Sequence, residues 1–280
     1  LAELEPYNLA VQVMPPFTDI VSGKRRIDDL RSVDIEDLLD REPARPDEAL
    51  LRDNFKQTKV LVTGAGGSIG SELCRQIAAR NPHTLLLFEV SEPALYHLEQ
   101  ELQASYPTLH LECVLGSVLD QNLLERTFSR IRPCIVYHAA AYKHVPLVEH
   151  NPLSGLVNNV LGTANTIAAA VQAGSTQFVL VSTDKAVRPT NVMGASKRMA
   201  ELVVQSYAAE HNTMQCSIVR FGNVLGSSGS VVPRFREQIR HGGPITVTDA
   251  EMVRYFMTIP EAAQLVMQAG AMRSNGGNSL

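Results

Sequence analysis

No stretch of this chain approaches the roughly 20 apolar residues that a membrane-spanning helix needs, and its start lacks the basic-then-apolar order of a secretory leader. Insertion of this chain into a membrane is therefore not expected. A basic excess is missing too: 25 Lys and Arg stand against 29 Asp and Glu, so nothing draws the chain to a polyphosphate backbone, and nucleic acid is not an expected partner. Only four cysteines occur, Cys74, Cys113, Cys134 and Cys216. They are widely separated, form no CxxC pair, and read as buried thiols of a reducing compartment, with no disulfide framework or metal site. The first residue is Leu1 and the chain ends abruptly in SNGGNSL, so it reads as a piece of something longer.

What is present is enough for one large globular domain: 280 residues, 45% hydrophobic and 19% charged. Residues 1 to about 55 are rich in charge and proline and lack sustained periodicity, which predicts an extended arm. The acidic run DIEDLLDRE within it reads as a solvated or docking surface before a metal site. From Lys59 the pattern changes to short β-rich runs alternating with longer helical stretches, the mark of βαβ units around a parallel sheet. The predicted strands are Lys59 to Val62, Leu85 to Phe88, Leu109 to Leu115, Cys134 to His138, Phe178 to Ser182 and Ser217 to Phe221. Six such strands predict an α/β doubly wound parallel sheet of the Rossmann type over residues 56–280, with substrate-binding elements mainly after residue 222.

The run KVLVTGAGGSIGSEL sets Gly64, Gly67 and Gly70 between the first strand and a helix, where a backbone must approach a pyrophosphate and the helix amino terminus offers free N–H groups. Ser68 and Ile69 complete that expected cradle, and Ser117 and Val118 join it after the third strand. Glu89 closes the second strand, 19 positions past Gly70, where a carboxylate accepts hydrogen bonds from a ribose diol and repels a 2′-phosphate; this favours NAD over NADP. An ordinary surface carboxylate at a strand end is the competing reading. Ala139, Ala140 and Ala141 would let a nicotinamide ribose pack closely on the backbone, or serve simple strand-to-helix packing.

The segment STDKAVRPTNVMGASKRMAE places Met193 and Lys197 four apart on one helical face. Short-chain dehydrogenases carry Tyr and Lys at those two positions, and this chain resembles that superfamily from Lys59 to about Ala271. A thioether exchanges no protons, so the usual phenolic acid or base is missing. Asp184 and Lys185 are the substitutes at hand, since adjacent groups of opposite charge under a bound sugar can divide acid and base roles. A solvated loop ion pair is the alternative.

GAGGSIGSEL, HAAAYKHVPLVE, NNVLGT, STDKAV, MGASK, RFGNVLGSSGSVVP and GGPITVTDAEMVRYFMTIPEA together resemble the UDP-N-acetylglucosamine 4,6-dehydratases of bacterial polysaccharide and glycan biosynthesis, in particular their membrane-associated branch. In that branch Met replaces Tyr at the dyad, and the arm SGKRRIDDLRSVDIEDLLDRE is similar to the linker that follows an upstream membrane-spanning region. The resemblance implies a redox-neutral cycle on UDP-N-acetylglucosamine: NAD takes hydride from sugar C4, water leaves across C5 and C6, and the hydride returns to C6. It implies that Thr183 hydrogen-bonds the C4 hydroxyl, Asp184 protonates the departing C6 hydroxyl, Lys185 takes the C5 proton, Met193 lines the pocket and Lys197 binds the nicotinamide ribose. Asn159 in NNVLGT would orient Lys197 through backbone and water. Lys143 and His144 are candidates to face the sugar or its diphosphate, and Asn223 and Arg254 to contact the diphosphate; a surface ion pair competes for Arg254 and a structural role for His144. A cytoplasmic domain of a parent anchored at the inner membrane, and a homo-oligomer, are also implied. A UDP-sugar 4-epimerase and a non-catalytic NAD-binding scaffold are the competing functions.

Overall fold

A computed structural model describes residues 12–15, 17–23, 26, 29–32, 47–227, 231–247, 249, 251 and 254–272. The chain divides into two compact units, Leu1–Glu42 and Pro43–Leu280. In the first, β1 (Gln12–Val13) pairs antiparallel with β2 (Arg31–Ser32), and α1 (Phe17–Val21) falls between them in the chain. The DIEDLLDRE run and the terminal SNGGNSL lie outside the described residues.

The second unit opens with α2 (Glu48–Phe55), whose cap Asp47 accepts a hydrogen bond from the Leu50 amide. This helix departs from the expected arm, because Leu51 and Phe55 are fully buried in the core. Two turns present only two apolar residues on a face, too few for a sustained period to show in the sequence.

Six parallel strands follow: β3 (Lys59–Thr63), β4 (Thr84–Glu89), β5 (Leu111–Leu115), β6 (Ile135–His138), β7 (Gln177–Thr183) and β8 (Gln215–Phe221), in the order β5-β4-β3-β6-β7-β8. The six expected strands are all present. The third starts later than expected, because the Leu109 amide closes a turn onto Tyr106. Side-chain alternation divides the strands between two cores. In β4, Leu85 and Leu87 enter the core shared with α2, α3 (Ser68–Ala78), α4 (Glu92–Ser105) and α11 (Ile259–Ala271), while Leu86 and Phe88 enter the core shared with α5 (Gln121–Ile131), α8 (Gly162–Ala173) and α9 (Val192–Glu210). Both faces are covered, which is why the strands read as continuous apolar runs. The four thiols are unpaired, but only Cys74 is buried; Cys113, Cys134 and Cys216 are partly exposed, a departure from the expected burial.

Strand order reverses between β3 and β6, so the connections leave the sheet in opposite directions there and open a crevice at the carboxyl ends. After β6 come α6 (Val145–His150), α7 (Pro152–Leu156) and a π-helical turn, Val157–Leu161, leading into α8. After β8, the short β9 (Asn223–Val224) pairs in parallel with β10 (Phe256–Met257), on either side of α10 (Val231–Arg240) in the chain. Among the described residues, no helix is long and apolar enough to cross a membrane.

If α2 belongs to the core as its burial indicates, Phe55→Ala lowers unfolding free energy by about 3–5 kcal/mol. Denaturant melts of the two proteins measure this, and a loss under about 1 kcal/mol would show a surface helix.

Candidate active site

Two cavities meet at the carboxyl ends of the sheet. The larger, about 990 Å³, runs from the glycine loop past the ends of β6, β7 and β8 to Arg254 and Phe256. The smaller, about 170 Å³, lies between the glycine loop, Glu89 and the residues after β5. Both have Gly67, Ala139, Ala141 and Tyr142 in their walls, so they form two arms of one crevice.

The glycines make that crevice by absence of side chains. Gly64 has φ +65°, and a Cβ there would stand 2.7 Å from the backbone of Ala140; a Cβ on Gly70 would stand 2.0 Å from the Gly64 carbonyl oxygen. The residue at the cap of α3, Gly67, brings no side chain to the first helical turn, so an anion can approach its amides. Glu89 is nearly buried and braces the loop: one carboxylate oxygen accepts from the Gly66 amide at 2.8 Å, the other from the Val90 and Ser91 amides at 3.0 and 2.9 Å. Its place in the smaller cavity's wall leaves it a further hydrogen-bonding role toward a bound diol.

At the end of β7, the Thr183 hydroxyl donates to Asp184 Oδ1 at 2.9 Å, and Lys185 Nζ donates to the same oxygen at 3.1 Å and to Asn223 Oδ1 at 3.5 Å. A short 3₁₀ turn, Asp184–Ala186, holds the three together. Thr183 and Lys185 line the large cavity, whereas Asp184 is outside its wall with half of its side chain exposed. Its connection to the cavity runs through its two neighbours.

Met193 and Lys197 come from the first two turns of α9, and both are buried and face the large cavity. Asn191 caps the helix by accepting from the Gly194 amide at 2.8 Å, and Glu149 of α6 accepts from the Val192 amide at 2.7 Å. Gly194 permits close docking, since a Cβ there would lie 2.4 Å from the Lys185 carbonyl oxygen. Lys197 Nζ donates to the Val181 carbonyl at 2.7 Å. Burial lowers its pKa to about 8, against an opposing pull from Glu201. Behind it, His138 bridges Thr63 Oγ1 at 2.7 Å and Thr163 Oγ1 at 3.0 Å; burial, with Lys197 adding to it, lowers its pKa to about 3, so the ring is neutral. Burial also lowers the pKa of Lys143, on the large cavity's wall.

Ser68, Ile69, Lys143, His144, Asn223 and Arg254 all stand in the large cavity's wall, and Ser117, Val118 and Ala140 in the smaller one's. Asn159 does not line either cavity. It is buried, donates to the Tyr142 carbonyl at 3.0 Å and to Ser196 Oγ at 2.9 Å, accepts from the Tyr142 amide at 2.8 Å, and so ties the turn after β6 to α9, the helix that carries Lys197. Its neighbour Asn158 reaches the smaller cavity. Sequence reasoning passed over Asn158, Tyr142 and the wall built by Leu147, Val148 and Ser154. The NN pair in NNVLGT was the available signal for the first; apolar helix residues carry none.

A six-stranded doubly wound sheet with a glycine-lined crevice and a buried Lys on the following helix defines a Rossmann-type fold of the short-chain dehydrogenase class. Residues 60–279 match the family described as polysaccharide biosynthesis protein, and the chain belongs to that family. It is 47% identical over 264 residues to the capsular polysaccharide biosynthesis protein CapD of Staphylococcus aureus, covering 94% of this chain but 44% of that protein. The chain thus spans less than half the length of this relative. It is 30% identical to UDP-glucose 4-epimerase of Rickettsia massiliae over 77% of this chain and 63% of that one. Among solved structures, Pen from Bacillus thuringiensis superposes with TM-score 0.74 at 32% identity, covering 80% of this chain and 68% of that one. A DesIV double mutant, dTDP-glucose 4,6-dehydratase from Streptomyces venezuelae with NAD and DAU bound, gives 0.67 at 25%, covering 76% and 72%.

The burial of Lys197 predicts that one ε-carbon in protein with ¹³C-labelled lysine titrates near pH 8 and is missing from Lys197→Arg. A set of lysines all titrating above about pH 10, the ordinary range, would mean a hydrated ammonium.

Proposed function

We propose that this chain carries the catalytic centre of an NAD-dependent dehydratase that converts UDP-N-acetylglucosamine to a UDP-4-keto-6-deoxy amino sugar for bacterial surface polysaccharide or glycan. The observation that carries the reading is the hydrogen-bonded Thr183–Asp184–Lys185 trio, set beside Met193 where a tyrosine would otherwise stand. The similarity to CapD and to the dTDP-glucose 4,6-dehydratase fold supports it.

The crevice suits NAD on its own geometry: Gly64, Gly67 and Gly70 leave room for a pyrophosphate, Glu89 and Asn158 border the smaller cavity, and Lys197, on the large cavity's wall, would hold the nicotinamide ribose. When bound, NAD supplies reversible hydride transfer, which turns C4 into a ketone, acidifies C5 and lets C6 be reduced after water has left. The chain's own groups handle the protons. Thr183, already donating to Asp184, relays the C4 hydroxyl proton to that carboxylate. Asp184, back through the Thr183 hydroxyl that joins it to the cavity, returns the same proton to the C6 hydroxyl as that departs as water. Lys185, entering as the amine, accepts the C5 proton and later returns it to C5. The proton count closes, since the water lost consists of the C6 hydroxyl and the C4 hydroxyl proton. Met193 shapes the wall without proton work.

A 4-epimerase is the second reading, favoured by the likeness to the Rickettsia protein. It needs only the C4 step and has no use for a second acid and base. The rest of the parent protein is proposed to hold an inner-membrane anchor, with this unit on the cytoplasmic side.

Incubation with UDP-N-acetylglucosamine yields a product lighter by one water, read by mass spectrometry, whereas an unchanged mass with an altered C4 would establish the epimerase. Asp184→Asn and Lys185→Ala each lower turnover by roughly 10²–10⁴-fold, the usual share of a general acid or base, with NAD affinity kept. Full turnover in either variant removes that residue from the scheme. Glu89→Gln reduces the preference for NAD over NADP by about tenfold, from loss of a charge-assisted contact and of repulsion toward a 2′-phosphate. Paired calorimetric titrations with the two dinucleotides measure it; an unchanged ratio would place the discrimination elsewhere.

A further inference from the structure

We propose that Glu201 is a positioning residue of the active site, a buried anion that locks the ends of β7 and β8 to the helix carrying Lys197; the proposal rests on the dehydratase reading for its kinetic consequence only. Glu201 lies one helical turn past Lys197 on α9, and its side chain has no exposure. One oxygen accepts from Ser182 Oγ at 2.6 Å and from Arg220 Nε at 2.8 Å, the other from Arg220 Nη2 at 2.6 Å and Arg198 Nη1 at 2.9 Å.

Each partner has a position that matters. Ser182 immediately precedes the Thr183–Asp184–Lys185 trio. Arg220 lies near the end of β8, three residues before Asn223, whose side-chain oxygen meets Lys185 Nζ. One carboxylate therefore sets the spacing among the strand that ends in the acid and base, the strand that supplies Lys185's second partner, and the helix with Met193 and Lys197. A bidentate Arg fork makes this geometry stiff, because both N–H groups must keep their directions at once. Burial alone would raise the Glu201 pKa, but hydrogen bonds from Arg220, Ser182 and Arg198 hold it below the usual value, so the group stays an anion. That charge is also the one that opposes the desolvation of Lys197; His138 on β6, Arg198 on α9 and Arg220 on β8 are the other ionisable groups close by.

The test uses Glu201→Gln, Glu201→Asp and Ser182→Ala in the same chain, each checked for folding by circular dichroism and for NAD affinity. Two readouts are independent of each other. The Lys197 ε-carbon titration needs no substrate, and Glu201→Gln moves its midpoint down by at least half a pH unit, with Glu201→Asp in between. Turnover of UDP-N-acetylglucosamine falls at least tenfold in Glu201→Gln and at least threefold in Ser182→Ala, while KM stays within about twofold. If Glu201→Gln does not fold, Ser182→Ala, which removes one hydrogen bond and little volume, decides by the same kcat-against-KM split. Unchanged kcat in the folded variants, or an unmoved Lys197 midpoint in Glu201→Gln, overturns the proposal. An inactive wild type whose Lys197 midpoint still shifts in Glu201→Gln would overturn the dehydratase reading and leave the electrostatic part of this one supported.

Discussion

Backbone against backbone, the contact of Gly64 with Ala139 and Ala140 is the constraint on which the site depends. Strands β3 and β6 are neighbours in the sheet, with Thr63 level with His138, so the turns that follow them emerge side by side. Any Cβ at Gly64 would drive into the Ala140 backbone and push the two turns apart. Held together, they form the wall common to both cavities, and the acidic residue at the end of the next strand, Glu89, fastens the loop from the other side. The crevice thus follows from strand order and missing side chains. It does not require a flexible lid.

The proposed acid and base sit one strand further along, at the end of β7, and are built on different terms. The Asp184–Lys185 pair is substantially exposed, and such a pair contributes no more than about 1 kcal/mol to stability in water. In the proposed reaction a bound sugar would cover the pair and strengthen the hydrogen bond that joins the two groups. Beneath it the order is reversed. Glu201, Arg220 and Ser182 are packed and mutually satisfied, which is the condition under which a buried ionic cluster is tolerated. An exposed ion pair thus stands above a buried, fully satisfied ionic cluster.

Much of this was legible in the residues. Strand and helix alternation gave all six strands, because burial on both faces writes long apolar runs. The glycine loop, Glu89, the alanine turn, Thr183, Lys185, Met193 and Lys197, all singled out from the residues alone, line the crevice. Three things were not legible. Helix α2 was read as part of an arm, since two turns show no period. That Asn159 bonds Tyr142 and Ser196 was not written in the residues, because the π-helical turn sets where its amide points. That Asp184 stands behind Thr183 and Lys185, outside the large cavity's wall, was not written there either.

The sequence by itself determined the class of fold, the glycine loop between β3 and α3 and the methionine in place of a tyrosine, because each is written in local pattern: a period, a spacing, a residue type at one position. Only the tertiary structure decided which groups share a carboxylate or a cavity wall. Ser182 on β7 and Arg220 on β8 come to Glu201 on α9, and α6 and α7 come to the crevice with ordinary apolar residues. Contacts between residues far apart in the chain are set by how strands and helices pack, and packing leaves no periodic trace along the chain.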